Sequence, residues 1–131
     1  MSQTDYIKAL MEQSVRDREV ANDLFASKKY MYCLFFHHLA LEKMFKAAIL
    51  NQGKQMMYVH DLIKLATVAQ FPLDDLSLSE LGRISDFNIE ARYDDFKSEF
   101  YHQATEPFAK KWSDISSKYY HLLNQLIHDK P

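Results

Sequence analysis

The chain has 131 residues, a formal net charge of −2, two glycines, three prolines and one cysteine. This length predicts a single domain spanning 1–131. The lone Cys33, flanked by Tyr32 and Leu34, excludes an internal disulfide and fits a reduced compartment, so the expected location is cytoplasmic. Acids and bases are interspersed, without the basic excess of a DNA binder, so no DNA partner is expected. No apolar run follows a basic start, and none reaches the ~20 residues of a bilayer span, so no secretion signal and no membrane are expected. Few breakers and abundant Leu, Ala, Lys and Glu predict an all-α fold.

Apolar residues at helical spacing, from Ile7 through Leu10, Met11, Val20, Ala21 and Leu24 to Phe25, predict a first helix. Thr4 is the predicted N-cap. Ser27-Lys28-Lys29 reads as a turn. The second helix, Tyr30 to Leu50, is apolar around nearly its whole circumference, which marks a central helix or one shared with a partner subunit. Gly53 is the predicted left-handed cap after it. A loop follows over 54–59, then a third, short helix over 60–70 that Phe71-Pro72 stops. Ser77 to Glu80 matches a capping box and predicts the start of a fourth helix that runs to Arg92. FKSEFYHQA, 96–104, predicts another short helix. Thr105 is the expected cap of the last, with Glu106 and Pro107 in its first turn. Short connections between such helices predict an antiparallel up-and-down bundle of four to five helices.

Two polar constellations interrupt this pattern. On the second helix His38, Glu42 and Lys46 are spaced four apart and line one face. They read either as a surface ladder or as a polar strip opening on a cleft or a subunit seam. His37 reads as a hydrogen-bonded core histidine. The other constellation is the stretch NIEARYDDF, 88–96. Arg92 suits a helix C-terminus, and Asp94 and Asp95 would neutralise it or cap the next helix. The same Arg92 also offers a planar fork for phosphate or carboxylate, with Tyr93 supplying a flat face for a base. His60-Asp61 opens the third helix, where Asp61 serves as a cap and the pair can face a site.

Other chemistries are excluded or weak. Six histidines without HExxH spacing, and one cysteine, predict no metal site. Two glycines permit neither a P-loop nor a dinucleotide fingerprint, so no cofactor is expected.

The blocks KKYMYCLFFHHLALEKMFKAAI, HDLIKLA and FNIEARYDDF, in that order, resemble the HEPN family (higher eukaryotes and prokaryotes nucleotide-binding domain) from about Arg16 to His128. The carriers are Ala40, Glu42, Lys43, Lys46 and Ala47, then His60, Asp61 and Leu62. The last are Asn88, Ala91, Arg92, Tyr93, Asp94 and Asp95, which match the subset with an A-R-Y-[PD]-D motif. The resemblance implies a helical bundle, commonly a homodimer, that associates with nucleotide or RNA. It also implies a nucleotidyltransferase partner in toxin–antitoxin or related systems. Many members are metal-independent ribonucleases with an R-x(4–6)-H motif. Here nine residues separate Arg92 from His102, and no other histidine has an arginine four to six places before it. The reading is therefore a non-catalytic module that binds a nucleotide or phosphorylated group through Arg92, Tyr93, Glu42, Lys46, His60 and His38. The alternative is a ribonuclease toxin using His102 and Arg92.

Overall fold

The computed structural model describes residues 1–129. Six helices follow one another: α1 (Gln3–Ala26), α2 (Tyr30–Asn51), α3 (Leu62–Val68), α4 (Asp75–Arg92), α5 (Asp94–Gln103) and α6 (Glu106–His128). The four long helices α1, α2, α4 and α6 make an up-and-down bundle, and α3 and α5 are short additions beside α4. The four-helix bundle with two short additions agrees with the expected architecture.

Long-range bonds establish the directions. Gln3 Nε2 donates to the Leu50 carbonyl (2.5 Å), while Phe25 and Tyr30 meet edge to face at the other end, so α1 and α2 are antiparallel. Glu80 meets Lys118 and Phe87 meets Phe108, so α4 and α6 are antiparallel too. Tyr30 reaches Glu106 and Asn51 reaches the Ile127 carbonyl, so α2 and α6 run parallel across the bundle.

Fourteen of the 22 residues of α2 are buried, which makes it the central helix. Helices α1, α3, α4 and α6 and a contact from α5 surround it, which covers most of its apolar circumference and leaves Tyr32 exposed and Phe35, Phe36 and Leu39 partly so. Leu34, Leu41, Met44, Phe45 and Ile49 are fully buried there. Each large aliphatic or aromatic side chain so buried stabilises the fold by about 1.5–3 kcal/mol relative to exposure.

The helix boundaries show where local signals competed. Ser2, not Thr4, caps α1, because Asp5 stands three residues after it and completes a reciprocal capping box. Likewise α4 starts two residues before the predicted Ser77: Asp74 is the cap and Ser77 is its third-position partner. Glu80 is thereby released to bind Lys118 Nζ at 2.7 Å and the Tyr119 hydroxyl at 2.6 Å. Helix α3 is shorter than predicted, because the Asp61 carboxylate accepts from the amides of Ile63 and Lys64 and leaves His60 in the preceding loop. Helix α5 starts at Asp94, with both aspartates in its first turn. Thr105 caps α6 as expected. Gly53 takes the left-handed conformation (φ 78°) after α2, where the Lys54 amide returns to the Ile49 carbonyl. Lys28 takes it (φ 63°) in the turn after α1.

Candidate functional site

The polar strip of α2 is an interior feature, not a surface ladder. His38 is fully buried and Glu42 is 6% exposed. Glu42 is the hub. One carboxylate oxygen, Oε2, accepts from Lys46 Nζ at 3.0 Å. The other, Oε1, accepts from His60 Nδ1 at 2.9 Å, across the loop between α2 and α3. Burial alone would raise the Glu42 pKa. The hydrogen bonds from Lys46 and His60, with the nearby charge of Lys46, outweigh it and hold the carboxyl below its ordinary value. Glu42 is an anion at neutral pH.

His38 holds the same loop from below. Its Nε2 stands 3.0 Å from the His60 carbonyl oxygen, which can only accept, so Nε2 carries the proton. Burial holds the imidazole below its ordinary pKa, so it is neutral. Its Nδ1 then has a bare lone pair, buried without a partner and 3.9 Å from Glu42 Oε1, too far for a hydrogen bond. His37 is buried as predicted, but its Nε2 has no hydrogen-bond partner, contrary to the expectation of a bonded core histidine. Burial, with a contribution from the Arg18 charge, lowers its pKa to about 4.

His60 is the exposed member of the group. With Nδ1 bound to Glu42, its Nε2 has no partner among the described residues. His60 lines a concavity of about 340 Å³ together with Asp61, Ile63, Gly82, Ser85, Asn88 and Arg92, with Asp86 and Ile89 completing the rim. The concavity is fixed from both sides. Ser85 Oγ accepts from the Leu62 amide at 3.2 Å, tying α4 to the start of α3. Gly82 packs on Ile63, where an added Cβ would stand 3.4 Å from its Cδ1, at van der Waals contact.

Arg92 stands at the last turn of α4. Its Nε donates to the Asn88 carbonyl at 3.1 Å, and its guanidinium lies 5.5 Å from the Tyr93 ring centre. No carboxylate of the described residues lies within ion-pair distance of it; Asp94 and Asp95 serve the first turn of α5 instead. Its charge nevertheless reaches inward, where it disfavours protonation of His38. Tyr93 is 54% exposed with extended backbone, ending α4 and beginning α5, and it does not line the concavity.

His102 lies elsewhere. Helices α4 and α5 form an antiparallel pair hinged at Tyr93, in which Phe87 stacks on Phe100 and Arg83 binds Gln103. His102 is therefore at the level of Arg83, nine residues back along α4 from Arg92, or roughly 13 Å at 1.5 Å per residue. It is exposed.

Two of the other concavities are less suited to an anion. One of about 430 Å³ between α4 and α5 is lined by Asp86, Glu90 and Glu99. The other, about 450 Å³, is an apolar groove between Phe71, Leu76, Tyr119 and Leu122. Among the described residues no group of three or more His, Cys, Asp or Glu is placed to hold a metal ion, and no helix is long and apolar enough to cross a membrane.

The contact between Glu42 and His60 was beyond sequence reasoning, because eighteen residues and an irregular loop separate them. Ser85, Asp86 and Asn88 were also missed as lining residues. One signal was available: a glycine inside a helical pattern, Gly82, costs about 1 kcal/mol relative to alanine and so draws attention to this turn of α4.

Comparisons with known proteins agree with this architecture. No curated protein matches the sequence. Among solved structures, the crystal structure of TT1696 from Thermus thermophilus is similar with a TM-score of 0.78 at 17% identity, over 92% of this chain and 97% of that one. That likeness shows a shared fold. The profile of the HEPN domain matches residues 7–126, nearly the whole bundle. The chain belongs to the HEPN domain family.

Proposed function

We propose that this HEPN domain is a non-catalytic module that holds a nucleotide or another phosphorylated ligand at Arg92. The observation that carries the reading is a guanidinium with no carboxylate partner, opening on the same concavity as His60. Arginine presents paired donors that match phosphate oxygens, and each charge-assisted bond is about twice as strong as a neutral one. Tyr93, outside the concavity but with its ring 5.5 Å from the Arg92 guanidinium, would meet a base that extends out of it. Glu42, Lys46 and His38 act behind His60 and set its position. The run Ala91 to Asp95 puts the chain, on this reading, in the A-R-Y-[PD]-D subset of the family.

The partners proposed are a second copy of the chain and a small nucleotidyltransferase, in a cytoplasmic, toxin–antitoxin-like setting. Tyr93, Phe96 and Tyr101, each at least half exposed, offer a contact surface along one end of the bundle. The module needs neither metal nor cofactor to bind.

The test is isothermal titration of the purified chain with AMP, ATP, GTP and cyclic AMP, repeated on Arg92→Ala. Binding to at least one, weakened about ten- to a hundredfold in the variant, is expected from the loss of a charged hydrogen-bond donor worth about 1.5–3 kcal/mol. Silence with all of them sinks the ligand reading and leaves a protein adaptor. Incubation with total RNA tests the alternative, a ribonuclease toxin. Cleavage that vanishes in His102→Ala would establish it in place of the binding module.

A further inference from the structure

The concavity at Arg92 has a hydrogen-bonding relay built behind it. At the Arg92 concavity, one imidazole is held at two points. Glu42 Oε1 accepts from its Nδ1 at 2.9 Å, and His38 Nε2 donates to its backbone carbonyl at 3.0 Å. Lys46 fixes the second oxygen of Glu42, so the carboxylate cannot rotate away. A carboxylate accepts and never donates when ionised, so the proton of a neutral His60 stays on Nδ1. The free nitrogen, Nε2, is then a bare acceptor facing a space that an arginine also faces.

Such a nitrogen cannot bind an unprotonated phosphate oxygen, because both are acceptors. It becomes a donor to a phosphate dianion, the main form above about pH 7, by taking a proton from solvent. We propose that His60 is the second anion-binding group of this site and that it takes up one proton when the phosphate binds. Binding of a phosphate ester is thereby coupled to pH. Six charged or titratable groups face His60 or the groups it touches. From α2 these are His38, Glu42 and Lys46; from the cap of α3, Asp61; and from α4, Asp86 and Arg92.

The same six groups limit the ligand. Asp61 and Asp86 share the concavity with the two cations, so a chain of several phosphates would bring charge against them. The site therefore suits a ligand presenting a single phosphate group, such as a nucleoside monophosphate, over a triphosphate.

This inference rests on the phosphate reading of Arg92 but fails separately from it. Titrate the chain with AMP and with ATP, from about pH 5.5 to 8.5, in two buffers of different ionisation enthalpy. At about pH 7 and above, where the AMP phosphate is mainly a dianion, the heats should differ between buffers by net uptake of up to one proton per AMP. The dissociation constant should rise with pH, by at most about tenfold per unit as one-proton linkage requires. AMP should bind more tightly than ATP. His60→Gln, a change at an exposed position that leaves the fold intact, should abolish proton uptake and flatten the pH profile. Glu42→Gln should reduce the uptake, with circular dichroism checking the fold of this buried variant. Binding with no buffer dependence, or uptake that persists in His60→Gln, overturns this proposal and leaves the Arg92 reading standing. ATP preferred over AMP overturns the single-phosphate assignment. No binding of either overturns both.

Discussion

Helix α4 carries two arginines nine residues apart, and their surroundings are opposite. Arg83 is paired with Glu90, donates to Gln103 Oε1 at 2.9 Å, and lies over the rings of Phe87, Phe100 and Phe108 at 4.9 to 5.8 Å. Arg92 is open. It has one bond to its own helix and one ring beside it, and it looks onto a concavity. Both are cations on one helix, so residue type does not separate them. What separates them is the partner: the charge of Arg83 is paired with a carboxylate and packed on rings, while Arg92 meets only a carbonyl of its own helix. A paired cation glues elements together, while an unpaired one at the rim of a hollow retains the capacity to bind something else.

The strongest way to break this comparison is to remove the seat of Arg83. Phe87 is fully buried among Phe100, Phe108 and Trp112. Phe87→Ala should lower the unfolding free energy by about 3–5 kcal/mol in urea denaturation. A loss below about 1 kcal/mol would show that this aromatic cluster does not organise the α4–α5–α6 end.

The histidines repeat the contrast between a sealed group and an open one, and pH exposes it. His37 is sealed: burial lowers its folded-state pKa to about 4 from 6.5. The unfolded chain then binds the extra proton between those values, so stability is complete above about pH 6.5 and falls as pH drops toward 4. The loss from this group is on the order of 3 kcal/mol. Urea midpoints measured at about pH 7 and pH 4.5 should differ accordingly, and His37→Gln should remove a large part of the difference. Depression of the Glu42 pKa acts in the same sense at still lower pH, because its stabilisation is lost as pH falls through the folded value.

The paired substitutions give smaller effects and sharpen the comparison most directly. Arg83→Ala should cost about 1–2 kcal/mol of stability through lost ring contacts and an unpaired Glu90, and should leave ligand affinity unchanged. Arg92→Ala should change stability by less than about 0.5 kcal/mol, since it removes an exposed side chain with little fixed contact. Its effect should appear only in binding. If the two variants exchanged these behaviours, Arg92 would be the structural residue and the site assignment would fall.

Most of the architecture was legible because helix signals are local. The 3.6-residue period of Leu34, Leu41, Phe45 and Ala48, and the caps at Asp61 and Thr105, need only neighbours in the chain. Caps were misassigned where two candidates stood close together. At Ser2 and Thr4, and at Asp74 and Ser77, the reciprocal partner three residues on decided between them. Glu42 before Lys46 was readable as an ion pair for the same local reason. The meeting of Glu42 with His60 was not, and neither was the remoteness of His102 from Arg92.

What the amino-acid order determined by itself, then, was the set of helices, the all-round apolar character that puts α2 at the centre, and Arg92 as a cation at a helix end. What tertiary packing alone decided was which cation stayed unpaired and which histidine shared its hollow. The reason is physical. Periodicity and capping depend on contacts within about four residues. The partner of a side chain across a loop depends on how whole helices cross, and that is set by the packing of the entire core.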